Sequence, residues 1–440
     1  MSPDARPGSL GERSRTGWGA ALLRGFLVFA LLLAIGLVVA VVGLGGANAG
    51  LPFGAALRIG ALYLGPFHHV ALVFEGDLDV DLSRLPDSGV PSGASATVEL
   101  GAALLAVTAV AVWLLFRAGR ASGFGERPGV RALTGARVAL GYAPPIPLIA
   151  LLVAFEEPAQ IGSFVTAGVR VTMSAWQALV FPLAIAAAAG AAGGLWSWTR
   201  ASERVAAVRV RWVLAGGWVM FLLALGLSCV GLLVAGVLQP EEPVALATPS
   251  TARYFERVFE RPGLGAVALG HHLALVPNEA LWTLVPASGA CDVVRGSERA
   301  DILCYRSFPS VSGSEIAFGS APAGYLLFLL VPAAATVFGG RYASVRAGRE
   351  GWSGVADGAM SGVVYGILVG VGCVLASITL WYTAGTGPSV GGRLWIGPDP
   401  VWGTITALGW GIAGGAIGAA SVRLRWSGAA RPGSGRPAAR

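Results

Sequence analysis

The sequence contains no lysine and few charges of any kind. All 31 basic residues are arginines, and charged residues make up only 12% of the 440 residues. Soluble proteins carry about 25% charged residues, so most of the surface of this chain must face something other than water. The scarcity of charge therefore excludes an ordinary soluble domain.

Two recognised motifs of nucleotide and metalloprotease chemistry are absent as well. The chain has no P-loop and no His-Glu-x-x-His. Its long apolar runs hold almost no Asp, Glu or Arg, whereas ion pumps need buried ionisable groups near the middle of the membrane. These absences weigh against an enzyme and against an ion-coupled transporter, and no cofactor is indicated.

Apolar runs long enough to cross a bilayer are abundant. Runs of about 20 apolar residues are typical of membrane spans. Six are clear, at 22–44, 100–116, 175–196, 212–237, 363–380 and 401–420, and two that contain proline lie at 139–155 and 324–338. The sequence predicts an all-α polytopic membrane protein with eight transmembrane helices, whose main partner is the lipid bilayer.

The arginines are sorted between the connecting segments. The segments 1–19, 117–137, 200–211, 341–357 and the tail from 423 hold 20 of the 31 arginines but only 6 of the 24 acidic residues. The positive-inside rule places these segments and both termini in the cytoplasm. We expect the regions 46–97, 156–173, 239–322 and 384–400 outside a cell membrane. The net charge of +7 thus reflects orientation and indicates no nucleic acid partner.

Two short motifs recur in the same order. His68-His69-Val70-Ala71-Leu72-Val73 reappears as His271-His272-Leu273-Ala274-Leu275-Val276, and Arg117-Ala118-Gly119-Arg120 reappears at 346–349. Recurring landmarks predict an internal duplication. We expect two parallel four-span repeats, 20–200 and 212–425, between a cytoplasmic tail at 1–19, a linker at 201–211 and a disordered tail at 426–440. The small-residue runs 187–194 and 411–418 occupy matching places and could form the seam between the repeats.

The two His-His segments, 51–74 and 262–286, are apolar enough to be mistaken for spans. If either segment crossed the membrane, an acidic loop would lie inside and an arginine cluster outside. We therefore predict one re-entrant or interfacial His-His segment in each repeat, with equivalent places for His68 and His271, or for His69 and His272. A metal site, another functional role and a structural role at the outer interface remain open for these histidines. Neighbouring residues on a helix point about 100° apart, which weighs against a metal site.

Two polar residues follow the second histidine pair. Asn278 and Glu279 come directly after Pro277, an arrangement typical of a helix break with Asn278 as N-cap. The alternative is a polar group at the break of a re-entrant element, lining a substrate path.

A cysteine pair lies in the longest outside region, 239–322. The stretches 290–294 and 302–308 flank a polar turn, which predicts a small β-hairpin with Cys291 and Cys304 on its two arms. On the oxidising side of a membrane these two cysteines are disulfide candidates.

Three stretches, 54–64, 115–120 and 275–282, resemble segments of uncharacterised actinobacterial multi-pass proteins of the PerM-like cell-division membrane protein family. A weaker likeness leads to the streptophobe family, and the Gly-rich, lysine-free composition also resembles that of actinobacterial proteins. The resemblance implies a non-enzymatic, permease-like envelope or division scaffold with other envelope membrane proteins as partners, and it carries no catalytic residues. The rival hypothesis is a two-repeat transporter or facilitator of a neutral or amphiphilic small molecule, and an enzyme using the histidines comes third.

Overall fold

The computed structural model describes residues 10–46, 52–78, 94–159, 167–201, 205–238, 262–296, 300–303, 308–312, 315–319, 323–349, 351–385 and 390–426. Within these ranges, eight helical segments are long and apolar enough to cross a membrane: Gly17–Val41, Leu105–Ser122, Pro128–Leu152, Ala175–Arg200, Ala206–Ala235, Leu326–Ala347, Trp352–Ala376 and Pro400–Val422. The predicted number of spans is confirmed by this criterion of length and composition.

Thirteen helices are described in these ranges, some of them joined into one span. They are α1 Leu10–Gly46, α2 Phe53–Leu62, α3 Leu64–Phe67, α4 Leu105–Ser122, α5 Pro128–Ala136, α6 Val138–Tyr142, α7 Pro145–Leu152, α8 Ala175–Ala201, α9 Val205–Leu238, α10 Pro262–Ala287, α11 Leu330–Ala347, α12 Trp352–Ala376 and α13 Pro400–Trp426. A 3-10 helix, Ala323–Leu329, precedes α11. Because α9 begins at Val205, most of the expected linker 201–211 is helical.

An eight-stranded antiparallel sheet accompanies the helices, which corrects the all-α prediction outside the membrane part. Its strands are β1 Leu72–Leu78, β2 Ala94–Gly101, β3 Phe155–Ala159, β4 Ala167–Met173, β5 Asp292–Arg295, β6 Ala300–Leu303, β9 Ile378–Gly385 and β10 Val390–Pro398, in the order β3-β4-β1-β2-β9-β10-β5-β6. The strands β7 Phe308–Ser312 and β8 Glu315–Gly319 form a separate hairpin. The predicted hairpin with arms at 290–294 and 302–308 exists as β5–β6, but it forms one edge of this larger sheet.

The sheet assigns a side to every connection between spans. Four connections contribute a hairpin each to the same sheet, so all four lie on one side of the helices, here called the sheet side. The three remaining connections, around residues 125, 203 and 350, therefore lie on the opposite side, together with the described ends Leu10 and Trp426. This opposite side carries the predicted arginine clusters and is called the arginine side below.

Each half of the chain packs around a meeting point of three glycines. In the first half, Gly190 of α8 lies against the backbones of Gly119 and Gly135, in α4 and α5. In the second half, Gly415 of α13 lies in the same way against Gly340 and Gly358, in α11 and α12. Helices can approach this closely only where no side chain separates them.

These contacts change the interpretation of two sequence motifs. The small-residue runs around Gly190 and Gly415 do occupy matching places, but they pack inside each half, so the expected seam between the halves is wrong. Gly119 contacts Gly190 as Gly340 contacts Gly415, so Gly119 and Gly340 correspond to each other. The repeated Arg-Ala-Gly-Arg motifs are therefore out of register, and the second one ends α11 with Gly348 in a left-handed conformation, φ 61°.

We expect Gly415→Leu to lower the stability of the protein. Its side chain would overlap with the Gly358 backbone and press against the Met220 side chain, and such overpacking costs about 1–3 kcal/mol or more. The matched control is Gly226→Leu in α9, where an added Cβ meets open space. Thermal unfolding in detergent, followed by tryptophan fluorescence, should show a lower midpoint for the Gly415 variant only. Equal midpoints would contradict this packing.

Candidate functional site at the base of the sheet

His68 lies at the end of α3 and is fully buried. The amide of Val70 donates to the Gly65 carbonyl, 3.0 Å away, and this turn directs the His68 ring inward. The Nδ1 atom lies 2.7 Å from the Leu64 carbonyl oxygen, and the Nε2 atom makes a short hydrogen bond with the Tyr142 hydroxyl. Since a carbonyl only accepts, this pattern assigns the ring proton to Nδ1 and makes Tyr142 the donor to Nε2. Burial lowers the pKa of His68 to about 4, so the ring is neutral near pH 7.

His69 has a backbone role beside this polar group. Its φ is 61°, the only positive φ of a non-glycine residue within the described ranges. This left-handed conformation costs roughly 1–2 kcal/mol for a residue with a Cβ, and here it closes the turn at the end of α3. The half-buried ring packs against Phe181 of α8, with 6.2 Å between ring centroids.

The corresponding place in the second half belongs to Ser288. The turn at the end of α10 repeats the one at the end of α3, with the Ala290 amide donating to the Val285 carbonyl at 3.2 Å and with Gly289 at φ 93°. The Ser288 hydroxyl donates to the Leu284 carbonyl at 2.8 Å, as the ring nitrogen of His68 does to Leu64. Ser288 thus occupies the place of His68.

A second buried tyrosine lies beside Ser288. Tyr365 follows Gly358 by seven residues, as Tyr142 follows Gly135, and both tyrosines are fully buried. The Tyr365 hydroxyl points to the Ser288 side chain but makes no hydrogen bond of standard geometry. The sequence analysis missed both tyrosines, although the repeated pattern Gly-Ala-x5-Tyr at 135 and 358 marks them.

His271 and His272 lie elsewhere. Both are inside α10, four turns before its end at Ala287, so the predicted equivalence with His68 and His69 is wrong. The side chain of His271 lies outside the described part of the structure. His272 is buried, and its Nδ1 atom is 4.0 Å from the Glu279 carboxylate, two turns further along the same face. Within the described ranges, no three His, Cys, Asp or Glu side chains are grouped as metal ligands would be.

Asn278 joins the two halves of the chain. It lies inside the continuous helix α10, so the predicted helix break and N-cap are wrong, and Glu279 is likewise an interior helical residue. The Asn278 side chain accepts a hydrogen bond from the Leu105 amide at 3.1 Å and donates one to the Ala103 carbonyl at 2.6 Å. Both partners belong to the junction of β2 and α4, whose Leu104 amide also donates to Pro66 of α3.

Within the described ranges, the second half contains buried acids that the first half lacks. Asp399 caps α13, since its Oδ1 accepts from the amides of Val401 and Trp402 at 2.9 and 3.0 Å. Its other oxygen lies 3.2 Å from Arg295. Asp292 of β5 is buried, one carboxyl oxygen has no hydrogen-bond partner, and desolvation raises its pKa well above the usual range.

A further ion pair, on the arginine side, also escaped the sequence analysis. Asp357 of α12 is buried, and its carboxylate lies 2.6 Å from Arg209 of α9 and 3.8 Å from Arg349. It ties the beginning of α12 to α9 and to the preceding turn. Its distance from the sheet, at the other end of α12, separates it from the polar groups above.

The tyrosines provide a matched pair of substitutions. We expect Tyr142→Phe to destabilise the protein by about 1–3 kcal/mol, because the buried Nε2 of His68 would lose its donor. Tyr365→Phe should change stability by less than about 0.5 kcal/mol, because it removes a hydroxyl without a hydrogen bond. Thermal unfolding of both variants in detergent measures the difference, and an equal loss would rule out the assigned roles.

No family model, no curated protein and no solved structure matches the chain. The resemblance to PerM-like and streptophobe proteins remains an expectation based on short motifs.

Proposed function

We propose that this integral membrane protein is a non-enzymatic, permease-like scaffold of the cell envelope. The arginine side faces the cytoplasm in this proposal, by the positive-inside rule, and the sheet stands on the outer side. The observation that carries the proposal is the buried, hydrogen-bonded contact between the halves around Leu105 and Asn278. Such a contact favours a static scaffold over a transporter with rocking halves.

The contacts at the seam support this choice. Leu105 of α4 belongs to the same hydrophobic core as Met220, Leu281 and Leu284 of the second half, so the apolar interior is continuous across the seam. The two hydrogen bonds of Asn278 lie next to this contact and are buried. Breaking them would leave buried backbone groups unpaired at about 1–3 kcal/mol each, which opposes separation of the halves.

We further propose that the halves are parallel repeats. Both begin and end on the arginine side, and each follows the order helix, one or two further helices, hairpin, two spans, hairpin, span. The sheet supports the duplication as well, because β3-β4-β1-β2 is followed by β9-β10-β5-β6, the same order by position in each half. In this alignment of the two repeats, Gly135 corresponds to Gly358 and Tyr142 corresponds to Tyr365.

The alternative is a two-repeat facilitator of a neutral or amphiphilic molecule. One observation favours it: α10, which packs against α1 and α4 of the other half, carries the buried polar residues His272 and Glu279. Polar groups on a helix between two repeats are typical of a transport path.

Accessibility of the seam separates the two functions. In a background with Cys229 and Cys373 replaced by alanine, we expect Leu105→Cys to resist a membrane-impermeant maleimide, because Leu105 is buried in the seam. Thr383→Cys on the exposed surface of β9 should react from outside intact cells. Labelling in SDS shows that both thiols are present. Rapid labelling of Leu105→Cys in the folded protein would favour the facilitator, and protection of Thr383→Cys in intact cells would overturn the orientation.

The disulfide between Cys291 and Cys304 remains a prediction, since Cys304 lies outside the described residues. The hairpin register supports it: β5 and β6 pair Asp292 with Leu303, the residues that adjoin the two cysteines in the sequence. Such a bridge stabilises its loop by roughly 3 kcal/mol in the chain-entropy model. We expect non-reducing peptide mapping to find this link, with two free thiols per chain. Four free thiols would refute it.

A further inference from the structure

The two faces of the sheet differ in chemistry. Because side chains alternate along a strand, the pairing register assigns each residue to a face. One face is charged and exposed, with Arg170, Glu75 and Glu156 in one row. The opposite face is apolar in its middle. Its central part, here called the central apolar face, consists of two rows on β1, β2, β9 and β10: Phe74, Val98 and Tyr382 in the upper row, and Leu100, Leu380 and Leu394 in the lower row.

The central apolar face is incompletely covered. Five of its residues are half-buried, and Tyr382 is 41% exposed. None of the six belongs to the described hydrophobic cores of the helical bundles, whereas the outlying residues Phe155 and Val171 of the same face pack against the core of the first half. The part of the face that lies outside the described cores is thus the middle of the sheet, where β2 of the first half pairs with β9 of the second.

The base of this face begins at the membrane. Helix α12 ends at Ala376 and β9 begins at Ile378, while β10 ends at Pro398 and α13 begins at Pro400. Near the same level, Trp176 and Trp402 are 62% and 60% exposed at the beginnings of α8 and α13. Exposed tryptophans at span ends are typical of the headgroup level. An apolar surface therefore continues from the lipid-facing helices onto the sheet.

The geometry limits what can occupy the face. All four strands are hydrogen-bonded on both sides, so no further strand can add to them, and only side chains are presented. The face is about 15 Å across and two rows deep, given strand spacings of about 4.8 Å. The area of this face, which six side chains cover, is far smaller than the roughly 800 Å² that each partner buries in a stable protein complex. A narrow, flexible aliphatic chain fits these limits.

We propose that the central apolar face holds an acyl chain of a phospholipid from the sheet-side leaflet. The chain would lie along the two rows, where removal of its CH₂ groups from water favours binding. The lipid would cover the apolar surface above the seam while its headgroup stays near the membrane. This inference is independent of the scaffold role, since both a scaffold and a facilitator could carry it.

Site-specific photo-crosslinking tests the proposal. A benzophenone amino acid replaces Tyr382 or Val98 on the central apolar face, in the full chain in nanodiscs of palmitoyl-oleoyl phosphatidylglycerol. The matched controls carry it at the neighbours Thr383 and Thr97, which face the opposite side of the same strands. The same substitution at the exposed Trp402 is the positive control for contact with bilayer lipid.

We expect intact-mass spectra to show a phosphatidylglycerol adduct at positions 382, 98 and 402 but not at 383 or 97. Substitution of Tyr382 is conservative in shape and exposure, so this variant reports even if the one at Val98 fails to fold. The absence of an adduct at 382 alongside a positive result at 402 would overturn the proposal. Equal adducts at 382 and 383, or crosslinks between two copies of the chain at 382, would overturn it as well.

Discussion

The close approach of three helix backbones at a glycine in each half is the contact on which the rest of the structure depends. Gly190 and Gly415 bring the last span of each half against two others with no side chain between them. In a bilayer, where burial of apolar groups between helices gains little, such packing is a main source of association. It also aligns α6 and α12 so that Tyr142 and Tyr365 reach the turns that end α3 and α10. The sheet strands start from these turns.

The spans could be predicted from composition, but the sheet could not. The ends of β2 and β9 nearest the helices are as apolar as a span. The predicted spans 100–116 and 363–380 therefore included residues that belong to these strands. The duplication was predicted from the two conspicuous motifs, and neither is at equivalent places in the two halves, because His271 and His272 lie inside α10 and the second Arg-Ala-Gly-Arg motif ends α11. The residues that share contacts leave a fainter signal: Gly-Ala-x5-Tyr at 135 and 358, and Ala-x-Gly-Ala-x-Gly at 188 and 413. The site prediction found His68, but Tyr142 and the role of Asn278 depend on contacts between distant segments.

The two halves use the same turns with different chemistry. In the first half a neutral imidazole accepts from a tyrosine, and the surroundings are apolar, with Leu72 at the position of Asp292 by strand order. In the second half, a serine replaces the imidazole, and Asp292 and Asp399 lie close by. The carboxyl group of Asp292 is buried without a full set of hydrogen-bond partners. Such a group is costly unless it is protonated, which agrees with the raised pKa of Asp292. The polar character has therefore been concentrated in one half while the backbone frame is shared.

The central strand pair constrains any relative motion of the halves. β2 and β9 are paired over seven positions, from Ser95 with Gly385 to Gly101 with Thr379, and this ladder joins the halves outside the helices. Asn278 joins them again at the foot of β2 through the Ala103 and Leu105 backbone. A rocking motion about the seam would have to bend one continuous sheet and break buried hydrogen bonds at its base. Because both connections meet at the β2–α4 junction, the two halves resist separation there, which is the mechanical property that the proposed scaffold needs.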